Sequence, residues 1–130
     1  MPASWKEKFR KKVKLFFWHG YWTDPIIFFS LVLAILVNIG IWAALRLVVQ
    51  ATDQPIILHY NIYFGVDSIG GWKNVFIMPA IGFLIFLVNL TLSRFFYYKE
   101  RLASHLFAGM GLLAQLLMAV GVISVIIINF

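Results

Sequence analysis

Residues 26–49 read IIFFSLVLAILVNIGIWAALRLVV, a run whose one charge, Arg46, comes close to its end. A hydrocarbon core about 30 Å thick needs about 20 helical residues at about 1.5 Å each, and this run exceeds that length. No polar stripe interrupts it, so it does not read as a surface helix of a globular domain. Two further runs match it. Residues 75–93 (VFIMPAIGFLIFLVNLTLS) carry no charge, and residues 102–128 (LASHLFAGMGLLAQLLMAVGVISVIII) carry His105 as their one titratable group. Continuous apolar runs are not the dyad-patterned strands of a transmembrane barrel. The expected fold is therefore an all-α integral membrane protein: three transmembrane helices over about 25–50, 74–94 and 102–128, an outer loop at 51–73, and a basic amphipathic interfacial helix ahead of them. Residues 1–22 read as a cytoplasmic arm and 23–130 as the membrane domain.

Composition excludes the main alternatives. The 130 residues are 62% apolar and 12% charged, carry a net charge of +6 and contain no cysteine. Soluble domains average about 45–50% apolar and about 25% charged residues, and a small globule cannot hide so much hydrocarbon. Absent cysteines remove thiolate metal sites, cysteine nucleophiles and disulfides. Thr23-Asp24-Pro25 supplies a capping side chain and a proline at the first helical turn, where the missing N–H is harmless. The first run is too long for the apolar region of a cleaved signal peptide, so it is expected to persist as an anchor. Pro79 reads either as the first turn of the second helix or as a kink in it.

Basic residues near helix ends set orientation. Lys6, Lys8, Arg10, Lys11, Lys12 and Lys14 precede the first run, and Arg94, Lys99 and Arg101 lie between the second and third. Only Lys73 lies in the 51–73 loop. This predicts a cytoplasmic N-terminus, an extracytoplasmic loop and C-terminus, and, for a bacterial chain, the inner membrane. In the arm, Trp5, Phe9, Val13 and Phe16 recur at helical spacing among Lys8, Arg10, Lys11, Lys12 and Lys14, the pattern of a helix lying on an anionic leaflet. Trp18, Tyr21 and Trp22 then form an aromatic belt at the entry to the bilayer. Nucleic acid is not expected as a partner, because the adjoining bilayer already accounts for the charge.

Inside the runs, Asn38, Asn89 and Gln115 are amides that need partners in hydrocarbon. Asn38 and Gln115 lie about halfway along parallel helices, so a pair between them is expected. Gly40 with Ala44, and Gly109, Gly111 and Gly121, are small residues that would seat a neighbouring helix. Arg46 is expected to snorkel to the interface, with Asp53 or Asp67 as alternative partners. His19 and His105 fall near the cytoplasmic interface and read as interface or packing residues, axial ligation of a pigment being the alternative.

The loop is too aromatic for a plain linker. Residues 57–64 are expected to lie extended with His59, Asn61 and Tyr63 on one side, and Gly65, Gly70 and Gly71 to permit turns. His59-Tyr60-Asn61, followed by Gly65, Asp67, Trp72 and Lys73, resembles the extracytoplasmic signature of a bacterial membrane family whose domain occurs in the immunity proteins against the sporulation-delaying toxin. That signature is a proline-led His-aromatic-Asn, a glycine, an Asp, an aromatic-Gly pair and a Lys, between a first and a second membrane helix. In this chain the His-to-Asp spacing agrees, the proline is displaced to Pro55, and Gly65, Trp72 and Lys73 each fall one position late. The resemblance covers residues 55–73 and implies a bacterial envelope protein concerned with toxin immunity or signalling. It brings no catalytic residue.

No nucleophile, metal-ligand or phosphate-loop motif is present, and one His with two Asp is a poor zinc set. No catalytic residue, metal or cofactor is therefore expected. The leading expectation is a non-enzymatic inner-membrane accessory, scaffold or immunity-like subunit. Its recognition residues would be His59, Asn61, Gly65, Asp67, Trp72 and Lys73, its partner another membrane protein or a second copy. The alternative is a homo-oligomeric transporter or channel lined by Asn38, Asn89 and Gln115.

Overall fold

The computed structural model describes residues 4–16 and 19–130. Two short helices, α1 (Trp5–Phe16) and α2 (His19–Trp22), lead into α3 (Pro25–Val48). A hairpin of β1 (Ile56–Asn61) and β2 (Gly65–Gly70) follows, then a 3₁₀ segment (Trp72–Phe76), α4 (Ile77–Phe96) and α5 (Arg101–Asn129). Among the described residues three helices are long and apolar enough to cross a membrane. At most 28% of the most apolar window of each is buried in the protein. Their outward faces, with Phe29, Leu36, Ile39, Leu84, Leu117 and Val120 all more than half exposed, suit lipid and not water. The chain has the make-up of a multi-pass membrane protein.

Each span starts where its local chemistry dictates. Asp24 accepts from the backbone N–H of Ile26 (3.1 Å) and Ile27 (3.4 Å), with Pro25 in the first turn. Pro79 is the third residue of α4, in the first turn after the 3₁₀ segment that leads into it. A tight turn reverses the chain after α4, the N–H groups of Lys99 and Glu100 both returning to the Phe96 carbonyl. Ahead of the bundle, α1 is amphipathic: the Trp5 and Phe9 rings stack at 5.6 Å, and Lys8, Arg10, Lys11 and Lys14 are exposed. Glu7 caps its start by accepting from the Ser4 N–H.

Within the bundle α5 packs on both α3 and α4, which touch each other far less. Small residues let the backbones approach. A Cβ at Gly111 would meet the Asn89 Cβ at 3.3 Å, and one at Gly121 would meet Met78 Cε at 3.2 Å. Gly82, which sequence reasoning passed over, lies against Gln115 and Met118, both at 3.2 Å from such a Cβ. Gly40 and Gly109 have nothing within 4 Å and seat no helix of this chain.

Two apolar clusters hold the ends together. Tyr21, Ile27, Leu31, Ala34, Phe86, Tyr97 and Ala108 form one, at the arm end. Ile41, Leu45, Val49, Ile56, Val75, Val122 and Val125 form the other, beneath the hairpin. The expected aromatic belt is corrected here: Tyr21 is 0% exposed and inside the bundle, whereas Trp22 is exposed. Trp18 lies outside the described residues. The 29 residues of α5 extend about 43 Å, against about 36 Å for the 24 residues of α3, at about 1.5 Å each. The hairpin docks on the last turns of α5, where Ile57 to Tyr60 border a groove with Gly121, Ser124, Val125 and Ile128.

Candidate functional site

The loop expected at 51–73 folds as an antiparallel hairpin, so the segment between the first two long helices of an otherwise helical chain is β-structure. The extended stretch expected at 57–64 ends at Asn61, where the chain turns through Ile62, Tyr63 and Phe64. These three side chains are 81%, 87% and 85% exposed. Gly65 closes the turn at φ +78°, the single positive-φ residue among those described, a conformation that glycine adopts without a Cβ penalty. The expectation that Gly70 and Gly71 also make turns is corrected: Gly70 ends β2, and Gly71 is extended at φ −67°.

Registers differ from a regular ladder. Ile57 opposes Ile69, His59 opposes Ser68 and Tyr60 opposes Val66, so Leu58 and Asp67 each stand opposite no partner. His59 Nδ1 nonetheless lies 3.0 Å from Asp67 Oδ2 on the exposed surface. Lys73 Nζ sits 5.5 Å from the centre of the Trp72 ring. Trp72 itself is half-buried against the cluster beneath the hairpin, which makes it an anchor of the loop. The side chain of Asn61 lies outside the described residues. Between β1 and the helices runs a groove of about 310 Å³, lined by Leu58, Tyr60, Met78, Gly121 and Val125 among others.

One residue fixes the hairpin to the bundle. The Asn129 side chain, in the last turn of α5, accepts from the Ile57 N–H at 2.7 Å and donates to the Ile57 carbonyl at 2.7 Å. Its amide thus bonds β1 as a neighbouring strand would. Sequence reasoning missed Asn129. The available signal was an amide following directly on an apolar run.

In mid-span, Asn38 Nδ2 donates to Gln115 Oε1 (2.9 Å) and to the Pro79 carbonyl (3.1 Å). Gln115 Nε2 donates to the Gly82 carbonyl at 2.6 Å. Asn89 is apart from them and folds back onto its own helix, donating to the Ile85 carbonyl at 2.9 Å. Arg46 is exposed, and among the described residues no ion pair joins it to Asp53 or Asp67.

At the arm end a polar cluster joins α2, α3, α4 and α5. Asp24 Oδ2 lies 2.9 Å from His105 Nε2 and 4.0 Å from Arg101 Nε. Burial pushes the Asp24 carboxyl up, but the hydrogen bond from His105 and the N–H groups of Ile27 and Ile26 outweigh it and hold it below its ordinary value. The Tyr97 hydroxyl donates to the Gly20 carbonyl (2.8 Å) and accepts from Arg101 (2.8 Å). Deeper, the Tyr21 hydroxyl donates to Ser93 Oγ at 3.1 Å, and Ser104 Oγ donates to the Ser93 carbonyl at 2.7 Å. Burial pushes the Tyr21 phenol up. Arg94 is also buried, its guanidinium 5.3 Å from the Tyr21 ring and 5.1 Å from that of Tyr98. His105 therefore spends one ring nitrogen on Asp24. The side chains of His19 and Lys12 lie outside the described residues.

Compared with known proteins, the chain matches no family model, no curated protein and no solved structure.

Proposed function

We propose that this chain is a non-enzymatic inner-membrane interaction subunit, of accessory, scaffold or immunity-like type, whose hairpin is an extracytoplasmic recognition surface. One observation carries the reading: three consecutive large apolar side chains, Ile62, Tyr63 and Phe64, project from the tip of a hairpin anchored at its base by Asn129 and Trp72. An apolar tip held on a rigid base is what protein recognition favours, because little ordering entropy is lost on contact. The distribution of basic residues supports a cytoplasmic arm and an extracytoplasmic hairpin. The exposed lysines and arginines of α1, together with Trp5 and Phe9, suit the anionic leaflet on the arm side. The likeness of residues 55–73 to the toxin-immunity family's signature is in keeping with a role at the outer surface.

Affinity capture of the full chain from its native membranes tests this, wild type against the triple variant I62S/Y63S/F64S. A membrane protein partner retained by wild type and lost in the variant is the expected result. A partner retained equally by both, or a ring of copies with Asn38 and Gln115 on a wet axis, overturns it.

A further inference from the structure

The two edges of the hairpin are not equivalent. Asn129 takes both the N–H and the C=O of Ile57, so these groups point away from β2. Ile57 opposes Ile69, and in an antiparallel ladder a pair that does not bond internally directs the peptide groups of both residues outward. The N–H and C=O of Ile69 therefore point out from the free edge of β2. Residues 66–69 are all exposed, Ile69 at 61% and Val66 at 47%. At Ile57 one edge of the sheet is closed by a side-chain amide that imitates a strand, and among the described residues no hydrogen bond closes the other edge at Ile69.

Exposed edges are usually blunted by charges, lysine above all, by proline, by bulges or by short length. β2 has six residues and one without a partner, Asp67, and Ile69 lies on the regular side of it, opposite Ile57. Residues 65–70 (GVDSIG) contain neither lysine nor proline. The single charge, Asp67, is turned onto His59. Building on the proposed role of the hairpin, we infer that β2 receives an extended segment of the partner protein as a third strand, with neutral or basic residues opposite Asp67. A lipid chain does not meet this chemistry, because it cannot bond the Ile69 peptide groups. A second copy of β2 is the competing occupant, and the identity of the Val66 adduct separates the two. Main-chain bonds would supply the attachment and the side chains of Val66 and Ile69 the selectivity, the usual division in strand addition.

The test places a photoreactive benzoylphenylalanine at Val66 on the edge, or at Tyr63 on the tip, in the full chain in its native membranes. Adducts from Val66 are expected to map to one continuous segment of one partner. Ile69→Pro removes the outward N–H at an edge position where proline is tolerated, and is expected to lower the adduct yield about tenfold, the loss of one interfacial hydrogen bond. Ile69→Ala keeps the N–H and should lower it far less. If Ile69→Pro loosens the hairpin, as protease resistance of residues 56–70 would show, Ile69→Lys keeps the backbone and adds the edge charge that repels strands. Equal yields in Ile69→Lys and wild type then overturn the inference. So do equal yields in Ile69→Pro and Ile69→Ala in a hairpin that stays intact, or Val66 adducts that are lipid or a second copy. A protein adduct from Tyr63 with none from Val66 removes the third strand and leaves the recognition role intact. No protein adduct from either position removes both.

Discussion

The side-chain amide of Asn38 in α3 donates to that of Gln115 in α5 at 2.9 Å, and each also donates to a backbone carbonyl of α4, Pro79 or Gly82. Three helices thus meet at one polar point, 6% exposed at Asn38 and 0% at Gln115. Intramembrane hydrogen bonds are worth about 0.6–2 kcal/mol. Asn38→Leu and Gln115→Leu are each expected to destabilise the bundle by about 1–2 kcal/mol, because each leaves an amide without its partner. The double variant should cost less than the sum. Unfolding equilibria in a bilayer measure this, and strictly additive losses would show that the pair is not coupled.

That pairing was readable from depth alone, since both amides fall halfway along parallel spans and hydrocarbon offers them nothing else. The three spans were equally legible, because lipid imposes one continuous apolar pattern. The hairpin was not. Its stretch has extended propensity, but its strands are stapled by Asn129, some 70 residues away, and its turn falls earlier than the alternation of His59, Asn61 and Tyr63 suggested. The inward placement of Tyr21 and Arg94 also escaped. Aromatic and basic residues at a span's end have a default place at the lipid surface, and only the packing of α2 onto the bundle revokes it.

Asp24 gives the arm end a pH dependence of definite sign. Its folded carboxyl titrates below its ordinary value of 3.8, so the stabilisation it brings is fully present above about pH 4 and is lost as pH falls through the lower folded value. Asp24→Asn retains an acceptor for the cap but removes the charge facing His105 and Arg101. The variant is expected to be less stable than wild type at pH 7 and to converge on it in acid. Thermal unfolding in detergent as a function of pH provides the comparison. A difference that stays constant down to the acid limit would mean that the charge of Asp24 does not act.

Gly40 and Gly82 should respond oppositely to one methyl group. At Gly40 nothing lies within 4 Å of an added Cβ, and alanine in a helix interior is better than glycine by about 0.5–1 kcal/mol. At Gly82 the Cβ would press on Gln115 Oε1 and Met118 Cγ at 3.2 Å, beside the mid-span amide pair. Gly40→Ala is expected to leave stability equal or raised, and Gly82→Ala to lower it by about 1–3 kcal/mol. If Gly40→Ala instead dissociates an oligomer on a sizing column while leaving the monomer folded, the open face around Gly40 is a contact between copies.

Asn129 has no isosteric substitute in holding the hairpin, since it donates and accepts on one peptide unit at the same time. Asn129→Asp keeps the acceptor for the Ile57 N–H and loses the donor to its carbonyl. Asn129→Leu loses both while preserving volume. Hydrogen exchange across residues 56–70 is expected to quicken in the order wild type, Asn129→Asp, Asn129→Leu, with about 1–3 kcal/mol separating the extremes. Protection of α3, α4 and α5 in their middles should change little, because the Leu45, Val75 and Val122 cluster beneath the hairpin is untouched. Exchange that quickens equally in hairpin and helices would instead mean that the hairpin and the bundle unfold as one unit, with Asn129 holding both.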